Sequence, residues 1–243
     1  MATIPIGDRV GGWGWVMTSL QRGIMLTRLI AGDGMRKTRL HNYNGQFLDA
    51  AGFLYLPKSI FTTLLLKLAN RRPELPWLGF RAIKYLDQII DTNWKVLEFG
   101  SGMSTIWFAR RCGFLVSIET DKAWYDAVTS MLNERALQNV DYRLCGESEA
   151  DVLQDYEDSY FDLVLVDGIR RDRAMITAIL KVKRGGYIYL DNSDVPYQEY
   201  RTAKAMLISA AGGESNVKTF NDLYPMHICV NEGLLASVAN KPE

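Results

Sequence analysis

Val96-Leu97-Glu98-Phe99-Gly100-Ser101-Gly102-Met103-Ser104-Thr105 reads as an apolar strand with one acid, a turn built on two glycines, and the opening of a helix. Glycines there permit a tight turn and close approach of the backbone to a ligand. The chain keeps this rhythm downstream. Helix Met103–Arg111 is followed by strand Phe114–Ile118, helix Lys122–Arg135 and strand Val140–Leu144. A short helix near Ala150–Leu153 leads to strand Phe161–Val166, helix Arg171–Val182 and, after Gly185-Gly186, strand Tyr187–Leu190. Helix Tyr197–Ala211 precedes two last strands, Val217–Phe220 and Met226–Val230, around a turn at Asn221–Pro225. Alternating strands and helices imply right-handed crossovers and a parallel sheet. Two strands joined by a short turn must run antiparallel. The expected class is α/β, a doubly wound sheet that is mostly parallel and has an antiparallel C-terminal strand.

Upstream the pattern is looser. Apolar residues recur at helical spacing around Trp15–Ile30 and Phe61–Leu68, among scattered glycines. Residues 1–75 are read as a helical and irregular N-terminal extension, a lid or substrate-facing appendage without a core of its own. Pro73 and Pro76 punctuate the chain, since proline disfavours helix at the residue before it. Phe80, Ile83, Tyr85, Leu86, Ile89 and Ile90 then mark a helix of about three turns. Residues 76–243 form the expected ligand-binding domain.

The composition is that of a soluble globular chain: 243 residues, 48% hydrophobic, and Lys+Arg 28 balanced by Asp+Glu 28. Net neutrality argues against electrostatic coating of nucleic acid, so no nucleic-acid partner is expected. The balance is not local. Up to residue 90 there are 12 basic and 5 acidic residues, and from 91 onward 16 and 23. Such asymmetry suggests different tasks for the two parts, with the basic part recruiting an anionic acceptor or surface. Cys112, Cys145 and Cys229 form no CxxC pair, which points to reduced thiols and a cytoplasmic setting. His41 and His227 are too few for a histidine-rich metal site. Trp13–Ala31 is fairly apolar but carries Gln21, Arg22 and Arg28, too polar for a transmembrane span. It is expected to pack on the body as an amphipathic helix, with peripheral membrane contact as the alternative.

In doubly wound sheets, ligands bind beyond the carboxyl ends of the strands. The second strand ends in Glu119, 17 residues after Gly102, where an acid can accept hydrogen bonds from ribose hydroxyls. A GxG alone is weak evidence. With its strand, its helix and Glu119, it points to a nucleoside-containing cofactor. A dinucleotide fingerprint requires glycine at position 105, where Thr105 stands. Glu98, two residues before the turn, suits a cationic ligand better than a diphosphate. A nicotinamide-dependent oxidoreductase is therefore an alternative, as is a non-enzymatic module that keeps the cofactor fold.

The segment Val96–Ala109 with Glu119 resembles the class I S-adenosylmethionine-dependent methyltransferases, whose first motif is an apolar strand, an acid and a GxG turn. The resemblance covers residues 80–230 and departs at Ser104, where many members have a third glycine. It implies a Rossmann-like doubly wound seven-stranded sheet and S-adenosylmethionine as cofactor. Glu98, Gly100, Ser101, Gly102 and Ser104 would lie along the methionine part of the cofactor. Glu119 would hold the ribose, and Glu147 or Ser148 the adenine. The activity implied is O-methylation of a small molecule or glycan hydroxyl.

The fourth and fifth strands end in Asp167-Gly168 and in Asp191-Asn192. This resembles the catechol and caffeoyl-coenzyme A type O-methyltransferases. The resemblance makes Asp167, Asp191 and Asn192 both catalytic and ligands of a divalent cation such as Mg²⁺, which would orient the acceptor hydroxyl and lower its pKa. In the catechol enzymes a lysine three residues after the first metal aspartate is the base; here Arg170 stands there, and arginine cannot take a proton. The alternatives are that Asp167 or Asp191 is itself the base, or that Asp167 contacts the cofactor. Arg170 would then bind an anionic group of the acceptor. Trp77 either covers the sulfonium by cation–π attraction or packs in the core. Tyr197 and Tyr200 either line the acceptor pocket or pack their helix.

Overall fold

A computed structural model describes residue 32 and residues 34–146 and 149–240. The expected helix Trp15–Ile30 and the expected adenine contacts Glu147 and Ser148 lie outside the described residues. The body is a seven-stranded sheet in the order β3-β2-β1-β4-β5-β7-β6. The strands are β1 (Lys95–Phe99), β2 (Phe114–Glu119), β3 (Val140–Leu144), β4 (Phe161–Val166), β5 (Val182–Leu190), β6 (Val217–Tyr224) and β7 (His227–Ser237). β1 to β5 pair in parallel; β7 runs antiparallel to both β5 and β6. The helices before the sheet are α1 (Ala50–Phe53), α2 (Leu56–Ala69) and α3 (Phe80–Ile89). Within it come α4 (Met103–Ala109), α5 (Lys122–Glu134), α6 (Glu149–Val152), α7 (Arg171–Lys181) and α8 (Gln198–Ala210).

The central strands are buried on both faces, which is why β1 and β4 read as continuous apolar runs. One face is covered by α3 and α4 through Ala82, Leu86, Trp107 and Phe108. The other is covered by α7 and α8 through Ala174, Met175, Ala178, Ala203 and Leu207. The N-terminal region shares a core with the last hairpin: Leu48 and Phe80 pack with Leu223, Ile228 and Val230.

Two elements extend beyond the sequence reading. β5 begins at Val182, not Tyr187, because Gly185-Gly186 is a bulge within the strand rather than a turn before it. The pairing with β4 shifts register there, and Gly185 takes φ +80°, open to glycine at no steric cost. The last hairpin is longer still. β6 continues to Tyr224 and β7 runs to Ser237, so the turn is at Pro225-Met226. Asn221, Asp222, Asn231 and Glu232 are residue types depleted in strands. Here three of them, Asp222, Asn231 and Glu232, have specific partners. Asp222 accepts the backbone N–H of Arg81 and Leu223, Asn231 accepts from Arg36, and Glu232 accepts from Ser193 and Lys204.

This length places the site. Leu190, the last residue of β5, is in register with Leu234. β7 starts at His227, seven residues earlier. The hairpin tip therefore projects roughly 20 Å past the strand mouths, at about 3.4 Å per residue. α2 braces it: Ser59 Oγ donates to the Tyr224 carbonyl at 2.9 Å, and Thr62 Oγ1 accepts from the Met226 N–H at 2.9 Å.

Candidate active site

A cleft of about 830 Å³ opens beyond the carboxyl ends of β1, β2, β4 and β5, walled on one side by the hairpin tip. Its floor is a contact between two turns. A Cβ on Gly100 would come within 2.8 Å of the Gly168 backbone, and Gly100 takes φ +91°. Only glycine fits both restrictions, so the β1 and β4 mouths are brought together by backbone alone.

One half of the cleft is built from the β1 and β2 ends. Glu98 lies under the glycine turn and is fully buried. Its Oε2 accepts from Thr105 Oγ1 and from Ser117 Oγ, both at 2.6 Å. Thr105 Oγ1 in turn accepts the Gly102 N–H at 2.9 Å. Glu98 Oε1 is buried and makes no hydrogen bond in normal geometry among the described residues. Burial pushes the Glu98 carboxyl up to about 7, against the opposing pull of the Ser104, Ser117 and Thr105 hydroxyls.

Glu119 at the β2 mouth accepts the N–H and Oγ–H of Ser101 at 3.2 and 2.7 Å, and the N–H groups of Thr120 and Asp121. Ser101 Oγ also meets Tyr142 Oη at 2.7 Å, and Trp124 Nε1 donates to the Ser101 carbonyl at 2.8 Å. Ser101, Gly102, Ser104, Glu119 and Trp124 all line the cleft. The Arg72 guanidinium stands over the Trp124 ring at 5.3 Å. Sequence reasoning singled out neither Trp124 nor Tyr142. Their one signal is position, close after Glu119 and within β3.

The other half is acidic. Asp167 and Asn192 line it at the β4 and β5 mouths, with Asp191 beside them. Asp191 is buried, and its Oδ1 accepts from Tyr224 Oη at 2.6 Å. Burial and the neighbouring Asp167 carboxyl hold the Asp191 pKa well above the usual carboxylate range. Asp167 is also raised, by burial that outweighs the nearby Arg171 guanidinium. Arg171 Nη2 donates to Asp167 Oδ1 at 2.7 Å and to Asn192 Oδ1 at 3.2 Å. The three oxygen donors expected to hold a metal do converge, but a guanidinium stands among them. They do not fit a divalent cation in this arrangement.

The remaining expected residues divide. Trp77 lines the cleft, is 56% exposed, and meets His227 edge-on at 6.1 Å, so it is not in the core. Arg170 caps α7 in a left-handed conformation outside the cleft lining, and Arg171 occupies the place its charge was expected to fill. Tyr197 lies outside the lining, whereas Tyr200 is in it. Tyr224, Met226, His227 and Asn231 also line the cleft and had no distinguishing motif.

No protein-family model and no curated protein matches the sequence. Solved structures do match in three dimensions. The O-methyltransferase from Bacillus cereus, solved with S-adenosylhomocysteine, is 18% identical with a TM-score of 0.56; the match covers 78% of this chain and 97% of that one. TomG from Streptomyces achromogenes, an O-methyltransferase of tomaymycin synthesis solved with S-adenosylmethionine, is 20% identical with a TM-score of 0.56; the match covers 79% and 97%. Cofactor-bound Rv0187 from MTB is 21% identical with a TM-score of 0.55, over 79% and 97%. The chain has the class I methyltransferase fold. Among the described residues, no helix is long and apolar enough to cross a membrane.

Proposed function

We propose that this chain is an S-adenosylmethionine-dependent methyltransferase acting on a hydroxyl oxygen of a small molecule. The observation that carries the reading is one continuous cleft with two chemically distinct halves. The glycine turn and Glu119 line one half, with Glu98 buried beneath the turn, and Asp167 with Asn192 lines the other.

Glu98 Oε1, buried beneath the turn, offers the negative acceptor that an amino-acid ammonium requires. Gly100, Ser101, Gly102 and Ser104 provide backbone and hydroxyl groups beside it. Glu119 would receive ribose hydroxyls at the oxygen that Ser101 Oγ now occupies. Trp124 and Arg72 border this end. S-adenosylmethionine, when bound, supplies a methyl group activated on a sulfonium. The protein's part would be to hold the acceptor oxygen beside that methyl, and positioning would account for most of the acceleration. Asp167 would take the proton that the acceptor hydroxyl gives up. Asp191 is the less accessible of the two, being buried and already accepting from Tyr224 Oη.

The far wall carries Trp77, Met226 and His227, which suits an acceptor with a flat or apolar body. The test is calorimetric titration with S-adenosylhomocysteine and with NADH. Micromolar binding of the first and none of the second is expected; the reverse would sink the reading. Transfer of labelled methyl to a library of hydroxylated small molecules then identifies the acceptor class. Cofactor binding without turnover on any of them would instead mark a binding module.

A further inference from the structure

Arg171 opens α7, where the positive end of the helix dipole disfavours a cation. It is nevertheless buried at the floor of the acidic half of the cleft. The side chain turns inward because every donor it has finds an acceptor there. A guanidinium carries five N–H groups in a rigid fork. Nε donates to the Asp191 carbonyl at 3.0 Å. Nη1 donates to the Gly168 carbonyl at 2.6 Å and to Tyr200 Oη at 3.0 Å. Nη2 donates to Asp167 Oδ1 and Asn192 Oδ1. The Tyr200 ring also lies against the guanidinium, 4.6 Å away. The fork thus ties together the β4 mouth, the β5 mouth and α8.

We propose that the Arg171 guanidinium is the resident cation of this site, standing where a divalent ion would bridge Asp167 and Asn192, so that the acceptor is oriented without a metal. Arg171 is a positioning residue. Its donors are all engaged, so it acts through the groups it holds. Tyr200 Oη accepts from Arg171, which leaves its own hydrogen to donate elsewhere. Asn192 Oδ1 accepts from Arg171, which directs its amide N–H₂ away from the guanidinium. Asn192 takes φ +54°, a left-handed conformation that asparagine tolerates better than most residues. Asp167, held by Nη2, lines the cleft where an acceptor would lie. Only these last assignments rest on the methyl-transfer reading; the cation's identity does not.

The experiment is a titration of the full chain with Mn²⁺, followed by electron paramagnetic resonance of the free ion. Wild type is expected to bind none up to about 1 mM, the weak end of oxygen-ligated divalent sites. One Mn²⁺ per chain, displaced by Mg²⁺ and lost in Asp167→Asn, would overturn the proposal. Arg171→Ala is expected to gain one Mn²⁺ site, and Arg171→Ala combined with Asp167→Asn to lose it again. A merely structural arginine would create no such site, so a folded Arg171→Ala chain that gains none also overturns the proposal. If Arg171→Ala does not fold, Arg171→Gln removes the charge while keeping hydrogen-bonding capacity, and the same two outcomes apply. Neither arm uses cofactor or turnover, so failure of S-adenosylhomocysteine binding would sink the methyl-transfer reading and leave this result standing.

Discussion

Thr105 Oγ1 donates to Glu98 Oε2 at 2.6 Å while accepting the Gly102 N–H at 2.9 Å. One hydroxyl thus fixes both the acid under the turn and the turn itself. A glycine at position 105, as a dinucleotide site requires, would remove both bonds. Thr105→Ala leaves a buried carboxyl short of a donor and should cost about 1–3 kcal/mol of stability. Urea unfolding measures this. Thr105→Ser, which keeps the hydroxyl, should recover most of the loss, and no recovery would mean that the methyl group matters instead.

The Glu98 carboxyl is raised by burial from 4.5 to about 7. Between those values the folded chain keeps a proton that the unfolded chain has lost, so stability should fall as pH rises through that window. Binding of a cationic amino group has the opposite sign, since it favours the carboxylate. Affinity for S-adenosylhomocysteine should therefore rise between pH 6 and 8, by roughly tenfold per pH unit below a pKa of about 7 if a single ionisation controls binding. Glu98→Gln should flatten that dependence. A wild-type profile that is already flat would remove Glu98 from the cofactor site.

Gly100 touches Gly168 backbone to backbone and takes a left-handed φ. Gly100→Ala should destabilise the fold by about 1–3 kcal/mol or more, through strain and displacement of the β4 mouth. Gly146→Ala, where an added Cβ meets nothing within 4 Å, is the control and should be near neutral. Thermal unfolding of the pair separates a specific close approach from a general intolerance of alanine.

Trp77 and Trp107 separate a cleft role from a core role. Trp77 is 56% exposed and Trp107 is 2% exposed. Trp77→Ala should change stability by no more than about 0.5 kcal/mol, whereas Trp107→Ala should cost about 3–5 kcal/mol. Once an acceptor is known, Trp77→Ala should raise its KM more than it lowers kcat. An unchanged KM would mean that Trp77 does not touch the acceptor.

The basic excess before residue 91 has a partial structural explanation. Arg81 pairs with Asp49 and with the buried Asp222 on β6. Arg36 donates to Asn231 on β7 and stacks on Tyr43, whose N–H is held by Asp194. Part of the basic excess is thus turned inward, with Arg81 paired to an acid of the later segment, Asp222. Composition cannot distinguish that from recruitment of an outside anion, because net charge carries no information about which groups face one another.

The order of strands and helices, the glycine turn, and the acids at the ends of β1, β2, β4 and β5 were legible in the sequence. Each is a local pattern: a period of two or 3.6 residues, or a turn chemistry a few residues long. Three features were not legible, because they depend on contacts far apart along the chain. Polar residues read as a turn became the strands of the last hairpin, since buried partners elsewhere satisfied them. That hairpin then carried Tyr224, Met226 and His227 over the strand mouths. The entry of Arg171 into the cleft lining and the exclusion of Arg170 from it also lay outside local pattern. Adjacent arginines are chemically identical, and only the tertiary arrangement of five acceptors determines which one is drawn into the site.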